Sequence, residues 1–330
     1  MDQKTDYERL DGLIIKDGNS GTPILRVGVQ AQLFVRNGFD SAARAASVEA
    51  LAAYARLAGD KVTRLLPSGA KRMQAIGGAD FPHRQREDAA KSAPDDVFGI
   101  TITDDEAPPR WRATAQMIGN YAPDWPSYFY TAVPPSFMKS DPDRYVRAVV
   151  EWASLLRPDY GTAGFALVLE AGMEFQYPKE TWPFHARFSG LDMLGAFNFK
   201  IGPGKIQTVN WLTVLSDKVL AEIGGRAELT ERLKEAWSIH FGAAPGDSLP
   251  PEFSLHDYDG GTVLRAGQYP QMGDVNIGGP PETYLVANDA LRSVRFMKYE
   301  QRPGDLIRVP APLDRYETTL EWITRFDARS

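Results

Sequence analysis

The chain has 330 residues, 43% hydrophobic and 24% charged, with 16 Phe, 13 Tyr and 7 Trp, enough apolar material for a substantial core and too much for a disordered chain. A net charge of −6 argues against a general phosphate-binding field, and the absence of cysteine removes disulfides, thiolate metal sites and cysteine nucleophiles. The charged start, Met1 to Leu10, does not read as a secretion signal, and no apolar run reaches the ~20 residues of a membrane helix, so a cytoplasmic protein is expected.

Residues 1–22 form a polar N-terminal segment, and the domain proper is expected over 23–330. Ile24 to Val35 reads as a strand. Asn37-Gly38 marks a turn, and Asp40-Ser41 caps an alanine-rich helix that runs through Leu57 and stops at Gly59. From Pro67 to Pro94 the chain is basic and irregular, with Lys71, Arg72, Arg84, Arg86 and Lys91, and is expected to be a long excursion with room for one short helix. Val97–Thr103, Trp111–Ile118 and Tyr128–Val133 follow as closely spaced strands, which implies antiparallel pairing.

Ser140-Asp-Pro-Asp143 starts a helix whose apolar stripe is Tyr145, Val146, Val149, Val150, Trp152 and Leu156, ended by Pro158. Gly161–Leu169 reads as a buried strand, and an aromatic stretch with Phe175, Tyr177, Trp182, Phe184 and Phe188 leads to a strand carrying Trp211. Helices are expected over Asp217–Ile223 and Ala227–Trp237, broken at Gly224-Gly225. Strands are expected near Phe253–His256, Thr262–Ala266 and Val294–Tyr299, and helices near Glu282–Leu291 and from Pro312 to Phe326. This order predicts an α+β fold of mostly antiparallel sheets covered by helices, with room for two packed subdomains divided near 190–205.

No catalytic, cofactor-binding or metal-ligating set emerges. The four histidines, His83, His185, His240 and His256, have no metal spacing, and alternation along a strand would put His256 and Tyr258 opposite Asp257 and Asp259. Gly202-Pro-Gly-Lys205 and Gly242 to Ser248 lack the Walker pattern, and no Gly-x-Ser-x-Gly elbow exists. Asp104-Asp105-Glu106 reads as a solvated loop or a surface for a basic partner. Trp125-Pro126 and Trp182-Pro183 are either exposed anchors or packed loop hydrophobes. Asn210, Trp211, Asp274 and Asn276 read as turn fasteners.

The segments Leu25–Val35, Leu156–Phe165, Gln207–Asp217 with Gly224-Gly225, Tyr258-Asp259-Gly260-Gly261, Pro270–Asn276 and Trp322–Asp327 together resemble the type VI secretion immunity-protein family. That resemblance implies an immunity protein, without enzymatic activity or cofactor, that binds a cognate effector toxin. The expected toxin is a basic cytoplasmic DNase of restriction-endonuclease-like fold. The family motif residues, Asn210, Trp211, Asp217, Tyr258, Asp259, Gly260, Gly261, Asp274 and Asn276, are expected to be structural. Charge density and loop placement single out Asp95, Asp96, Asp104, Asp105 and Glu106 as the toxin-contacting patch. Two alternatives stay open: a small-molecule enzyme with a pocket around Asn210, Trp211, His256, Asp274 and Asn276, and a DNA-binding regulator using Lys71 to Lys91. Homodimerisation is left open as well.

Overall fold

The structure is a computed structural model that describes residues 6–78, 81–123, 125–170, 172–173, 176–193, 201–242, 246–300 and 306–327. Among these residues the fold is α+β, with ten helices and eleven strands. Its contacts divide the chain into two units, Met1–Pro158 with Leu167–Glu174, and Asp159–Ala166 with Phe175–Ser330. The division therefore runs through one strand and the segment after it, ahead of 190–205; residues 194–200 of that expected boundary, and Phe175, lie outside the described residues.

In unit 1 the polar opening segment carries α1 (Tyr7–Asp11) and β1 (Ile14–Lys16), and β1 pairs antiparallel with β2 (Pro23–Val35). An 18-residue helix follows, α2 (Ser41–Ala58), stopped by Gly59 at φ 63°, a left-handed value that glycine adopts without a Cβ penalty. The basic excursion is more ordered than its composition predicts. It holds β4 (Gln74–Ala75), which pairs back on β3 (Arg64–Leu66) just ahead of it, then the 11-residue helix α3 (Phe81–Lys91). Next come β5 (Phe98–Thr103), β6 (Arg112–Met117) and β7 (Ser127–Val133), paired antiparallel as expected. The sheet order is β4-β3-β5-β6-β7-β2, with β8 (Tyr160–Leu169) on the far side of β2.

After the short α4 (Phe137–Ser140), α5 (Pro142–Leu156) shows how sequence becomes packing. Asp141 accepts the Arg144 N–H at 2.9 Å, Pro142 opens the first turn, and Tyr145, Val146, Val149, Trp152 and Leu156 are all buried at helical spacing. Trp152 meets Tyr54 of α2, Phe129 of β7 and Tyr145 at ring-centroid distances of 6.0, 5.7 and 5.9 Å. Truncating such a buried Trp costs about 3–5 kcal/mol.

Unit 2 has the strand order β10-β11-β9 followed by the first part of β8, whose ten residues are all buried, as its continuous apolar run predicts. β9 is Leu212–Ser216, β10 Phe253–Tyr258 and β11 Gly261–Ala266. The helices are α6 (Pro178–Arg187), α7 (Asp217–Glu222), α8 (Arg226–Phe241), α9 (Glu282–Leu291) and α10 (Arg315–Ile323). The aromatic stretch, for which the sequence predicts no element, contains α6 with Pro183 inside it. One expectation fails here: Val294–Tyr299 is not a strand. Arg295 instead makes a two-pronged ion pair with Asp327 at 2.6 and 2.7 Å, and the backbone of Ile206 holds Phe296 by one hydrogen bond.

Candidate functional site

The five acids of the expected contact patch fall at opposite ends of β5, about 25 Å apart at the usual strand rise. At the far end the chain uses its own acids. Asp104 accepts backbone N–H groups from Glu106, Arg110 and Trp111 at 3.2, 3.0 and 3.0 Å, which makes it the scaffold of the loop. Burial pushes its carboxyl pKa up, against the pull of those hydrogen bonds. Asp105 pairs with Arg64 at 2.6 Å, and Glu106 pairs with Arg26 at 2.9 Å and Arg110 at 3.1 Å. Three carboxylates in a row read as solvated because the arginines that engage two of them come from β2 and β3, remote in sequence.

The near end is built differently. Arg44 projects from α2 and is fully buried, and its hydrogen-bond partners among the described residues are all backbone oxygens. Its Nε donates to the Gly38 carbonyl at 3.2 Å, Nη1 to Ser92 and Ala93 at 2.8 Å each, and Nη2 to Pro94 and Asp96 at 3.2 and 2.7 Å. All five guanidinium N–H groups are thereby used on backbone oxygens, and the 92–96 loop is fastened to α2. Asp96 also accepts the Ala93 N–H at 2.9 Å.

The loop between β6 and β7 closes onto the same place. Asn120 donates to the Pro94 carbonyl, and Gly119 lies so close that a Cβ there would stand 2.3 Å from the Asp95 oxygen. Gly38 is equally tight: a Cβ there would stand 1.9 Å from the Ser127 hydroxyl, which accepts the Ile118 N–H. Two glycines and one buried arginine thus lock three loops into one tip. On it, Asp95 and Asp96 are exposed beside Val97, Tyr121 at 66% exposure and Trp125 at 48%. Of the two Trp-Pro pairs, Trp125 is exposed, while Trp182 packs against a core cluster that includes Trp322.

The residues expected to form the structural family motif lie in unit 2. Asn210 is fully buried; its Oδ1 accepts the Trp211 N–H at 2.7 Å, and its side chain sits where a Cβ on Gly164 would be, 2.1 Å away. Trp211 donates its indole N–H to the Gly267 carbonyl at 2.9 Å. Asp259-Gly260 is the two-residue turn of the β10–β11 hairpin, with Gly260 at φ 119°. A Cβ on Gly261 would stand 2.0 Å from the Leu215 carbonyl oxygen, and Tyr258 donates its hydroxyl to that same oxygen at 3.2 Å. Asp217 receives its support from the turn, its N–H donating to Gly260 at 2.8 Å.

Asp274 is gripped by Arg187 through Nε at 3.1 Å and Nη2 at 2.7 Å, and also accepts the Asn276 N–H at 3.0 Å. The Arg187 hydrogen bond is the main force holding its carboxyl below the ordinary 3.8. A depressed folded-state pKa contributes stability that is present above 3.8 and lost as pH falls through the folded value. An NMR titration of the Asn276 amide should therefore give a midpoint below 3.8, and Arg187→Met should move it up towards that value.

Of the residues expected around the small-molecule pocket, Asn210, Asp274 and His256 have polar side-chain groups engaged within the chain. Asn210 and Asp274 both hold the 187–190 segment, through Gly190 and Arg187, whereas His256 on β10 hydrogen-bonds Ser254 at 2.9 Å. Asp257 pairs with Arg226 at 2.8 Å, on the other side of the strand from His256. No group of three or more His, Asp or Glu among the described residues is placed to hold a metal ion. In the basic stretch, Arg86 pairs with Glu49 at 2.5 Å and Lys91 with Glu87 at 3.4 Å.

Comparison with curated proteins gives no match. Among solved structures, the chain is similar to the Pseudomonas aeruginosa T6SS protein PA0821, with a TM-score of 0.75 and 20% identity over 96% of this chain and 88% of that one. At that identity the likeness shows the fold. A family model described as TsiV, type VI immunity for VRR-NUC, matches residues 46–326, from within α2 to beyond α10. With most of its length matched, the chain belongs to the TsiV family, the type VI immunity proteins for VRR-NUC.

Proposed function

We propose that the chain neutralises its cognate VRR-NUC effector, a DNA-cleaving nuclease, by stoichiometric binding in the cytoplasm, without chemistry of its own. The contact surface is the tip that carries Asp95, Asp96, Val97, Tyr121 and Trp125. The single observation behind this choice is a contrast between the ends of β5. Asp105 and Glu106 are paired with the chain's own arginines, whereas the acids at the tip make no ion pair among the described residues and stand beside two exposed aromatic rings. A nuclease must attract a polyanion, so carboxylates suit its basic groove and would compete there with phosphates. Tyr and Trp supply contact area at low entropic cost.

Charge governs encounter more than residence, so the double variant Asp95→Lys, Asp96→Lys should lower the association rate at low salt, with the difference shrinking as ionic strength rises. Stopped-flow association with the purified effector measures this. A rate unchanged at low salt would take these acids out of the contact surface.

A further inference from the structure

The sheet of unit 1 is covered by helices on one face. Thr131 lies within hydrogen-bond distance of Tyr145 on α5 and Phe129 packs on Trp152, so these alternate positions of β7 face the helices. Residues paired across strands share a face. Gln30 on β2, Ala132 on β7, Arg112 on β6 and Thr103 on β5 are paired in register, and this row faces the other way. Arg26, four residues before Gln30 on the same strand, shares its side.

This row is polar and yet buried, Arg26 and Gln30 being 3% exposed each. Among the described residues, neither polar atom of the Gln30 side-chain amide has a hydrogen-bond partner, nor do Nε and Nη1 of Arg26 and the Thr103 hydroxyl. Arg26 uses only Nη2, on Glu106, while Arg112 donates Nη1 to the Leu169 carbonyl at 2.7 Å. Buried polar groups are almost always hydrogen-bonded, because leaving one unmet costs about 1–3 kcal/mol. The unmet groups lie on one face of the sheet: between Gln30 and Arg112 there is only the methyl group of Ala132, whereas Thr103 stands three strands from Gln30, about 14 Å at the usual strand spacing.

We propose that this row binds a small oxyanion of the carboxylate or phosphate class. The unmet groups are mostly donors, two of them on a guanidinium, with a second guanidinium beside them, a composition that matches anion oxygens. Glu106, at the rim and 46% exposed on its side chain, is the chain's own carboxylate on Arg26, and an incoming anion competes with it. The inference rests on the geometry of unit 1 and is independent of where the effector docks.

The test is isothermal titration of inorganic phosphate, and separately of malonate, into the full chain at ionic strength held constant with chloride. The expected result is saturable binding of at least one of them at one site per chain. Gln30→Leu should weaken it at least about tenfold, and Glu106→Gln should tighten it several-fold by removing the internal competitor. Gln30→Met, which keeps the length of the side chain and removes both polar atoms, replaces Gln30→Leu if that variant does not fold. Heats of dilution alone with both anions would overturn the proposal. So would binding that neither Gln30→Leu nor Gln30→Met weakens, or that Glu106→Gln weakens.

Discussion

Replacing Arg44 by methionine should destabilise unit 1 by about 3 kcal/mol and release the 92–96 loop, although the side chain reaches no solvent. The variant leaves five backbone carbonyls without their donor, those of Gly38, Ser92, Ala93, Pro94 and Asp96. The figure stays well below five separate penalties because carbonyls on a freed loop can turn to water. Lysine at this position keeps the charge but has fewer donors and no fork, so Arg44→Lys should recover only part of the loss. Denaturant unfolding measures the energy, and hydrogen exchange of the 92–97 and 118–122 amides measures the release. Effector affinity should fall alongside, because the loop that presents Asp95 and Asp96 would no longer be preorganised. Native exchange rates in Arg44→Met would contradict the clamp.

Trp125→Ala should leave the fold intact and weaken effector binding by about 2 kcal/mol, roughly thirtyfold. Half the ring is already in solvent, so truncation removes little from the core. Its backbone is fixed by the Trp125 N–H to Ala122 carbonyl bond, and the neighbouring Ser127 hydroxyl ties the strand start to Ile118. The loss should appear mainly as faster dissociation, in contrast to the slower association of the charge-reversed acids. Calorimetry and surface plasmon resonance with the purified effector give both numbers. Equal affinity for wild type and Trp125→Ala would place the contact surface elsewhere.

Much of the fold was legible because it rests on local periodicity. The apolar stripe of α5, the continuous run of β8 and the Gly59 stop of α2 each carry their own signal. Misses occur where partners distant in sequence decide. Pro183 and the aromatic residues disguised α6, and Arg295 makes an isolated parallel bridge with Ile206 while its side chain pairs with Asp327. The glycine of the β11 start has a local reason that the sequence does not show, since Gly261 sits where the Leu215 carbonyl leaves no room for a Cβ. The candidate site was half visible. Trp125-Pro126 and the acids could be picked out as chemistry, but an arginine on an alanine-rich helix reads as a surface charge, and nothing near Arg44 in sequence announces that residues 92–96 will lie on top of it. The same blindness hid the pairing of Asp105 and Glu106 with Arg64 and Arg26.

The most direct test is to titrate DNA cleavage by the purified cognate VRR-NUC effector with increasing amounts of this protein. Stoichiometric neutralisation predicts that cleavage falls linearly to background at one chain per effector and that the Trp125→Ala, Asp95→Lys, Asp96→Lys variant needs a large excess. Cleavage that persists at saturating protein, or full inhibition by that variant at one equivalent, would contradict respectively the mode of action and the surface assigned to it.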